Sequence, residues 1–212
     1  MIDLFRVSSK GVVEVMPDVF LLPGYADVTG VADALEEVLV RAPVRRMTTP
    51  RGFLMGVAMS NCGACGWVSD RRGYRYSECD PETGGAWPSM PSCFDDLARE
   101  AAKACRFPNF EPDVCLINRY EIGKGMGAHQ DRDESALDQP IVSVSLGLPA
   151  RFFMIGPERR GKSTPIDVTD GDVVVFGGAA RLHYHGVRPL KPGHHHRHGG
   201  VRWNLTFRRA LP

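Results

Sequence analysis

No apolar stretch in this chain reaches the roughly 18 residues of a membrane-spanning helix. The N-terminus also lacks a basic region leading into a hydrophobic run, so neither an anchor nor a secretory leader is expected. A large excess of one charge is missing as well. The net charge is only +1, which argues against a broadly basic nucleic-acid clamp. Cys62 and Cys65 form a CxxC with no second pair at metal-ligand spacing, which leaves structural zinc or thiol redox chemistry poorly supported. The six cysteines are expected as reduced thiols of a cytoplasmic protein, because a chain of this size can build its core without disulfides. After residue 113 no pattern supplies the helix of about a dozen residues that a parallel crossover needs.

What is present suits one globular domain spanning residues 1–212, with 43% hydrophobic and 24% charged residues. The small net charge hides a pattern. Residues 1–40 carry seven acids and two bases, whereas residues 41–75 carry seven bases and one acid. That second segment could meet phosphate through Arg45, Arg46, Arg51, Arg71, Arg72 and Arg75, or could be a solvated basic face. Helices are expected over 27–41, with Val31, Leu35, Val38 and Leu39 at helical spacing, and over 91–104, with Phe94, Leu97, Ala101 and Ala104 on its apolar side. Residues 47–59 suggest short strands around a Pro-Arg-Gly turn, and 61–81 suggest loops with a short hairpin. Strand patterns then follow at 113–119, 139–148, 151–155, 172–176 and 202–209. Many short strands after two helices predict a mostly β fold, a sandwich or barrel with flanking helices on one side.

The chemistry concentrates in the second half. His129 and Asp131 stand two residues apart, so on an extended segment their side chains project to one side. A third ligand from His183 or His185, which share parity in RLHYHG, would complete a face of two imidazoles and one carboxylate. That set binds non-haem Fe(II) and leaves open positions for a 2-oxo acid and dioxygen.

The last strand, RWNLTFR, alternates Arg202, Asn204, Thr206 and Arg208 with Trp203, Leu205 and Phe207. Four polar side chains facing a barrel interior would be costly without a polar ligand, and a dicarboxylate is an economical one. Arg202 could fork onto its distal carboxylate while Arg208 serves the end near the iron. The opposite arrangement, with this face outward and the aromatics inward, stays open. Asn118 and Tyr120 share parity ahead of the iron pair and could complete the hydrogen bonds around the same ligand.

With these motifs in order along the chain, the sequence resembles the bacterial AlkB family of nucleic-acid dealkylating dioxygenases. The resemblance is carried by MTTPRGFLMGVAMSNCG from Met47, GWVSDRRGYRYS from Gly66, PDVCLINRY from Pro112, HQDRDE from His129, PIVSVSLGLPA from Pro140, GDVVVFGG from Gly171, RLHYHGVRPL from Arg181 and RWNLTFR from Arg202. It implies a double-stranded β-helix (jelly-roll) core over 112–209 with a nucleotide-recognition lid over 41–80. It selects His185 over His183 as third ligand. It further implies that Asn118, Tyr120, Arg202, Asn204 and Arg208 bind 2-oxoglutarate, with Arg208 also near the reacting base. Trp67 would pack on an extruded base opposite His129, Asp133 would read the base's amino group, and Thr49, Met55, Met59, Tyr74 and Arg159 would line the lid or substrate path. The implied reaction uses Fe(II), 2-oxoglutarate and dioxygen to demethylate 1-methyladenine and 3-methylcytosine in single-stranded or locally unpaired DNA; the alternatives are the same chemistry on RNA or a non-nucleic-acid substrate, or a non-catalytic, cupin-like metal-binding protein. A monomer with no obligate protein partner is expected. Two segments depart from the family pattern: GKGMG at 123–127 and the HHHRH run at 194–198, the latter a solvated loop or a stray-metal binder.

Overall fold

The computed structural model describes residues 11–212; residues 1–10, part of the expected span, lie outside the described residues. Along the chain, β1 (Val13–Met16) and β2 (Val19–Leu22) precede helix α1 (Val28–Arg41). β3 (Ala58–Gly63), β4 (Gly66–Asp70) and β5 (Gly73–Ser77) lead to helix α2 (Ser92–Ala104). The rest is strand: β6 (Val114–Glu121), β7 (Met126–His129), β8 (Ile141–Gly147), β9 (Ala150–Gly156), β10 (Thr164–Val168), β11 (Val173–Phe176), β12 (Tyr184–Val187) and β13 (Val201–Arg208). Seven strands form one antiparallel sheet in the order β1-β2-β11-β8-β13-β6-β3. Four more form a second sheet, β10-β9-β12-β7, and β4-β5 is a separate hairpin.

The local chemistry explains the helices. Asp27 accepts from the Thr29 amide at 3.2 Å and caps α1, whose buried residues Val31, Leu35 and Val38 fall on one stripe. Pro91 sits at the N-cap of α2, where its missing N–H costs nothing. The buried stripe of α2 is Phe94, Ala98, Ala101 and Ala102. Ala104, expected on that stripe, is exposed, and Cys105 just beyond the helix is buried in its place. Among the described residues no helix is long and apolar enough to cross a membrane.

The large sheet is covered on both faces. On β2, Phe20 and Leu22 pack with the helices while Val19 and Leu21 face the second sheet; on β11, Val173 and Val175 separate from Val174 and Phe176 in the same way. A strand buried on both sides reads as an unbroken apolar run, as VVVF does. The β13 strand keeps that geometry with different chemistry. Leu205 and Phe207 fill the helix-side core, and Arg202, Asn204, Thr206 and Arg208 are 1%, 6%, 6% and 5% exposed on the other side. The polar face is therefore interior, which removes the outward alternative.

Three expectations need correction. Residues 47–57 form no strands: Thr48↔Leu54 and Arg45↔Met59 are isolated bridges, and the regular strand starts only at Ala58. Within that stretch Met55 lines a cavity, Met47 and Val57 are buried, and Phe53 and Leu54 are exposed, so the segment follows no alternating strand pattern. The four-residue strands β7 and β12 and the five-residue β10 were not expected, since glycine, histidine and proline interrupt their patterns. The HHHRH loop is not a metal cluster among the described residues: Arg197 pairs with Asp33 and Glu36 of α1 at 2.6 and 2.7 Å, and His195 Nε2 lies 3.3 Å from Asp170.

Candidate metal and cosubstrate site

Strand register brings the two imidazoles together. His185 on β12 is the direct cross-strand partner of His129 on β7, and their rings lie 4.5 Å apart. Side chains of such partners share one face of the sheet. Asp131 follows β7 and closes the group: its Oδ1 is 3.7 Å from His129 Nε2 and its Oδ2 is 3.7 Å from His185 Nε2. All three ligand atoms lie within 4.8 Å of one another. Each imidazole is oriented through its other nitrogen, His129 Nδ1 on the Gly127 carbonyl at 2.9 Å and His185 Nδ1 on the His183 carbonyl at 3.0 Å. That pattern fixes the tautomer and leaves Nε2 bare for a metal. The His183 carbonyl thus orients the His185 ring, while the His183 imidazole lies outside the group that could hold a metal.

The electrostatics suit a cation. Burial works against ionisation of Asp131, but Arg208, His185 and His129 outweigh it and hold the carboxyl well below the usual carboxylate range. Burial and the neighbouring His129 lower His185 to about 4, so its imidazole is neutral and able to ligate at neutral pH. Arg208 donates to Asp131 Oδ2 through Nε at 3.1 Å and Nη2 at 2.6 Å.

Next to this group the strands β8, β13 and β6 lay down a polar floor. Asn204 sits between Ser145 and Asn118, Arg202 between Gly147 and Tyr120, and Thr206 between Ser143 and Leu116. Arg202 Nη2 donates to Ser145 Oγ at 2.9 Å and Asn204 Nδ2 to Ser143 Oγ at 2.8 Å, while the Arg202 guanidinium lies 5.1 Å from the centre of the Tyr120 ring. Arg202 has no carboxylate partner among the described residues, and its Nε and Nη1 are buried with no hydrogen bond; Asn118 Oδ1 and Arg208 Nη1 are likewise unpartnered. Burial pulls the Arg202 pKa down. Buried cationic donors left open in this way need an anion, and a dicarboxylate held between Arg202 and Arg208 meets that need. The donor set and the floor thus fit Fe(II) with 2-oxoglutarate.

A cavity of about 460 Å³ opens above the three ligands. Of the sequence-predicted residues, Asn118, Tyr120, Asn204 and Arg208 line it together with His129, Asp131 and His185. Trp67, Tyr74, Met55, Met59, Asp133 and Arg159 line it as well. Arg202 lies behind Tyr120 and outside the wall. Thr49 is also outside it, its hydroxyl accepting the Phe53 amide at 3.1 Å in an exposed turn.

The comparisons agree with this geometry. The model for the 2OG-Fe(II) oxygenase superfamily matches residues 18–208. The alpha-ketoglutarate-dependent dioxygenase AlkB of Escherichia coli is 50% identical over 176 residues, 83% of this chain and 82% of that protein. The AlkB of Salmonella typhimurium is 45% identical over 212 residues, 99% and 98% of the two chains. The chain belongs to the AlkB family of 2OG-Fe(II) oxygenases. The solved structure of OsALKBH1 superposes with a TM-score of 0.82 at 26% identity, covering 94% of this chain and 100% of that one, so the AlkB-family jelly roll extends to the arrangement of strands. As a member, the chain is an Fe(II)- and 2-oxoglutarate-dependent dioxygenase.

Within this AlkB-family site the sequence reasoning passed over several residues. Ser143 and Ser145 hold the floor together, and serine at alternate positions of the otherwise apolar IVSVSLG could have shown them. Glu134, the last residue of HQDRDE, is 7% exposed and lies 3.3 Å from Arg181 and 3.2 Å from Arg208. Tyr76 donates to it at 2.6 Å. No sequence pattern joins positions 58 residues apart.

Proposed function

We propose that this dioxygenase removes N-methyl groups from 1-methyladenine and 3-methylcytosine, preferring DNA that is single-stranded or locally unpaired. It acts as a cytoplasmic monomer, within a single catalytic domain whose residues 41–80 form the nucleotide-recognition lid. The observation that carries the reading is the placement of an aromatic pair and an exposed carboxylate over the His-Asp-His face. Trp67 and Tyr74 stack 5.5 Å apart with an interplanar angle of 15°, and Trp67 Nε1 donates to Asp133 Oδ2 at 3.1 Å.

A ring nitrogen on a Watson-Crick edge is out of reach in a duplex, so the base must leave the stack, and a lesion that already blocks pairing lowers that cost. Trp67 offers a π-face to the extruded base. Such stacking is worth about 1–3 kcal/mol per base. These methylated bases carry a fixed positive charge, for which Asp133 supplies a negative partner and an acceptor for the exocyclic amino group. His129, Asp131 and His185 hold the iron, and Arg202, Asn118, Tyr120, Asn204 and Arg208 orient 2-oxoglutarate. When bound, iron with 2-oxoglutarate and dioxygen would supply the oxidation of the methyl carbon to a hydroxymethyl group, one oxygen atom going to that carbon and the other to succinate, with carbon dioxide released. The hydroxymethyl base then releases formaldehyde. The apolar walls at Leu116, Phe152 and Phe176 limit water beside the reacting carbon. Six unpaired thiols, four of them buried, accord with a reducing compartment.

Single-stranded oligonucleotides carrying 1-methyladenine or 3-methylcytosine, incubated with Fe(II), ascorbate and 2-oxoglutarate, test the proposal. Formaldehyde and repaired base are expected, and each should vanish when iron or 2-oxoglutarate is omitted. Folded, iron-loaded protein that leaves both lesions intact would overturn the substrate assignment.

A further inference from the structure

Two side chains of the β4–β5 hairpin reach the segment that carries the iron ligands. Trp67 and Tyr76 are direct cross-strand partners, so they project to the same side. Their polar ends land on consecutive acids: Trp67 on Asp133 at 3.1 Å and the Tyr76 hydroxyl on Glu134 Oε1 at 2.6 Å. The two contacts differ in kind. Asp133 is exposed, whereas Glu134 is buried, accepts from Tyr76 and Arg181, and is ion-paired with Arg208. Arg181 Nη2 reaches its Oε2 at 3.3 Å and Arg208 Nε reaches its Oε1 at 3.2 Å. Arg208 also holds the Asp131 carboxylate, and Arg181 Nη1 donates to the Asp131 backbone carbonyl at 2.7 Å. A hydrogen bond from the hairpin hydroxyl to Glu134, an ion pair from Glu134 to Arg208 and hydrogen bonds from Arg208 to Asp131 therefore link the hairpin to an iron ligand.

We propose that Tyr76 is a positioning residue for the cosubstrate: through Glu134 it fixes the guanidinium of Arg208 and keeps Arg208 Nη1 available to the 2-oxoglutarate carboxylate nearest the iron. Arg208 is shared between Asp131 and Glu134. Its plane is set by how firmly Glu134 is held, and Tyr76 with Arg181 does the holding. Arg208 Nη1 is one of the buried nitrogens with no protein partner. Seating the hairpin thus completes the cosubstrate site, and a displaced hairpin slackens it. Productive use of 2-oxoglutarate then depends on the lid being in place. This inference rests on the dioxygenase chemistry but not on the identity of the substrate.

The test is a cycle of Tyr76→Phe, Glu134→Gln and the double variant. Calorimetry under anaerobic conditions measures binding of Mn(II) to each metal-free protein, and then of 2-oxoglutarate to the Mn(II)-loaded protein. Loss of one hydrogen bond to a charged group should weaken 2-oxoglutarate about tenfold in Tyr76→Phe, with Mn(II) affinity held. The double variant should be no worse than Glu134→Gln alone, because Tyr76 acts through Glu134. The succinate-to-formaldehyde ratio should rise in both single variants on any accepted substrate. Either 2-oxoglutarate affinity within twofold of wild type in Tyr76→Phe, or additive effects in the double variant, would overturn the proposal. A general loss of structure would instead lower Mn(II) and 2-oxoglutarate binding together, and that too would overturn it. Because the binding measurements use no nucleic acid, failure of oligonucleotide turnover leaves them untouched.

Discussion

At the base of the cavity, Tyr120 and Asn204 are 1% and 6% exposed, and Arg202, 1% exposed, lies directly behind Tyr120; each is placed by strand register. At its mouth, Tyr74 is 48% exposed and stacks on Trp67, both on a two-stranded hairpin. The difference is one of desolvation. Polar groups on the floor have lost water and can regain partners only from a ligand, so the fold itself demands a specific anion there. Groups at the mouth keep their water and can be altered without unbalancing a core. Chemistry should therefore fail when the floor is touched, and substrate choice should drift when the mouth is touched.

The strongest way to break that contrast is at the metal ligands. His129→Ala is expected to reduce turnover by at least about 10³-fold, on the scale of removing an essential group in other active sites. Because the His129 side chain is 35% exposed, the melting temperature of the metal-free protein should hold. Asp131→Ala should lose both activity and stability, since it leaves Arg208 charged and buried without its nearest acid, a loss of about 3–5 kcal/mol. Steady-state kinetics with thermal melts of both metal-free variants check this; equal melting temperatures would show that Arg208 does not depend on Asp131.

Arg202→Met comes next and separates binding from folding. The apparent KM for 2-oxoglutarate should rise about 100-fold, from the loss of charge-assisted bonds to a carboxylate. The melting temperature of the metal-free protein should hold or rise, because a buried guanidinium with two unpartnered nitrogens is replaced by an apolar side chain of similar length. An unchanged KM would remove Arg202 from the cosubstrate site. Trp67→Ala, at the mouth, should raise the KM for a methylated oligonucleotide by about tenfold through lost stacking. An unchanged KM would take Trp67 out of the base-binding wall.

The same contrast decides what could be read from the sequence. The floor was legible because an interior strand writes its chemistry at every second position, as Arg202, Asn204, Thr206 and Arg208 do, and the metal pair because His129 ends β7 with Asp131 two residues on. The residue patterns alone left His183 and His185 as alternatives, because register across β7 and β12 is set by pairing that short, glycine-interrupted strands do not announce. Residues 47–57 look like strand by composition, yet their apolar side chains divide between core (Met47, Val57), cavity (Met55) and solvent (Phe53, Leu54), a division that no local pattern reveals. Glu134 and Tyr76 are similarly hidden, since neither an isolated glutamate nor a tyrosine in a hairpin signals a partner on the far side of the fold.

The smallest effects concern the arginines of 41–75, which the sequence presents as one basic segment. The structure divides them. Arg45 forks onto buried Asp80 at 2.5 and 2.8 Å, Arg46 pairs with Glu121 at 2.9 Å, and Arg75 pairs with Asp70 at 2.8 Å. Arg51, Arg71 and Arg72 are exposed, with no acidic partner for their side chains among the described residues. Only the second set is free to neutralise phosphates, and each contact made should add roughly one unit to the salt dependence of binding. Arg72→Ala should therefore weaken oligonucleotide affinity a few-fold and reduce the slope of log affinity against log salt by about one, with an unchanged melting temperature. Arg45→Ala should do the reverse, lowering the melting temperature through the abandoned Asp80 carboxylate while leaving that slope alone. Should Arg45 and Arg72 change the salt slope equally, these ion pairs would be open in solution, and the basic segment would act as a single phosphate-binding surface after all.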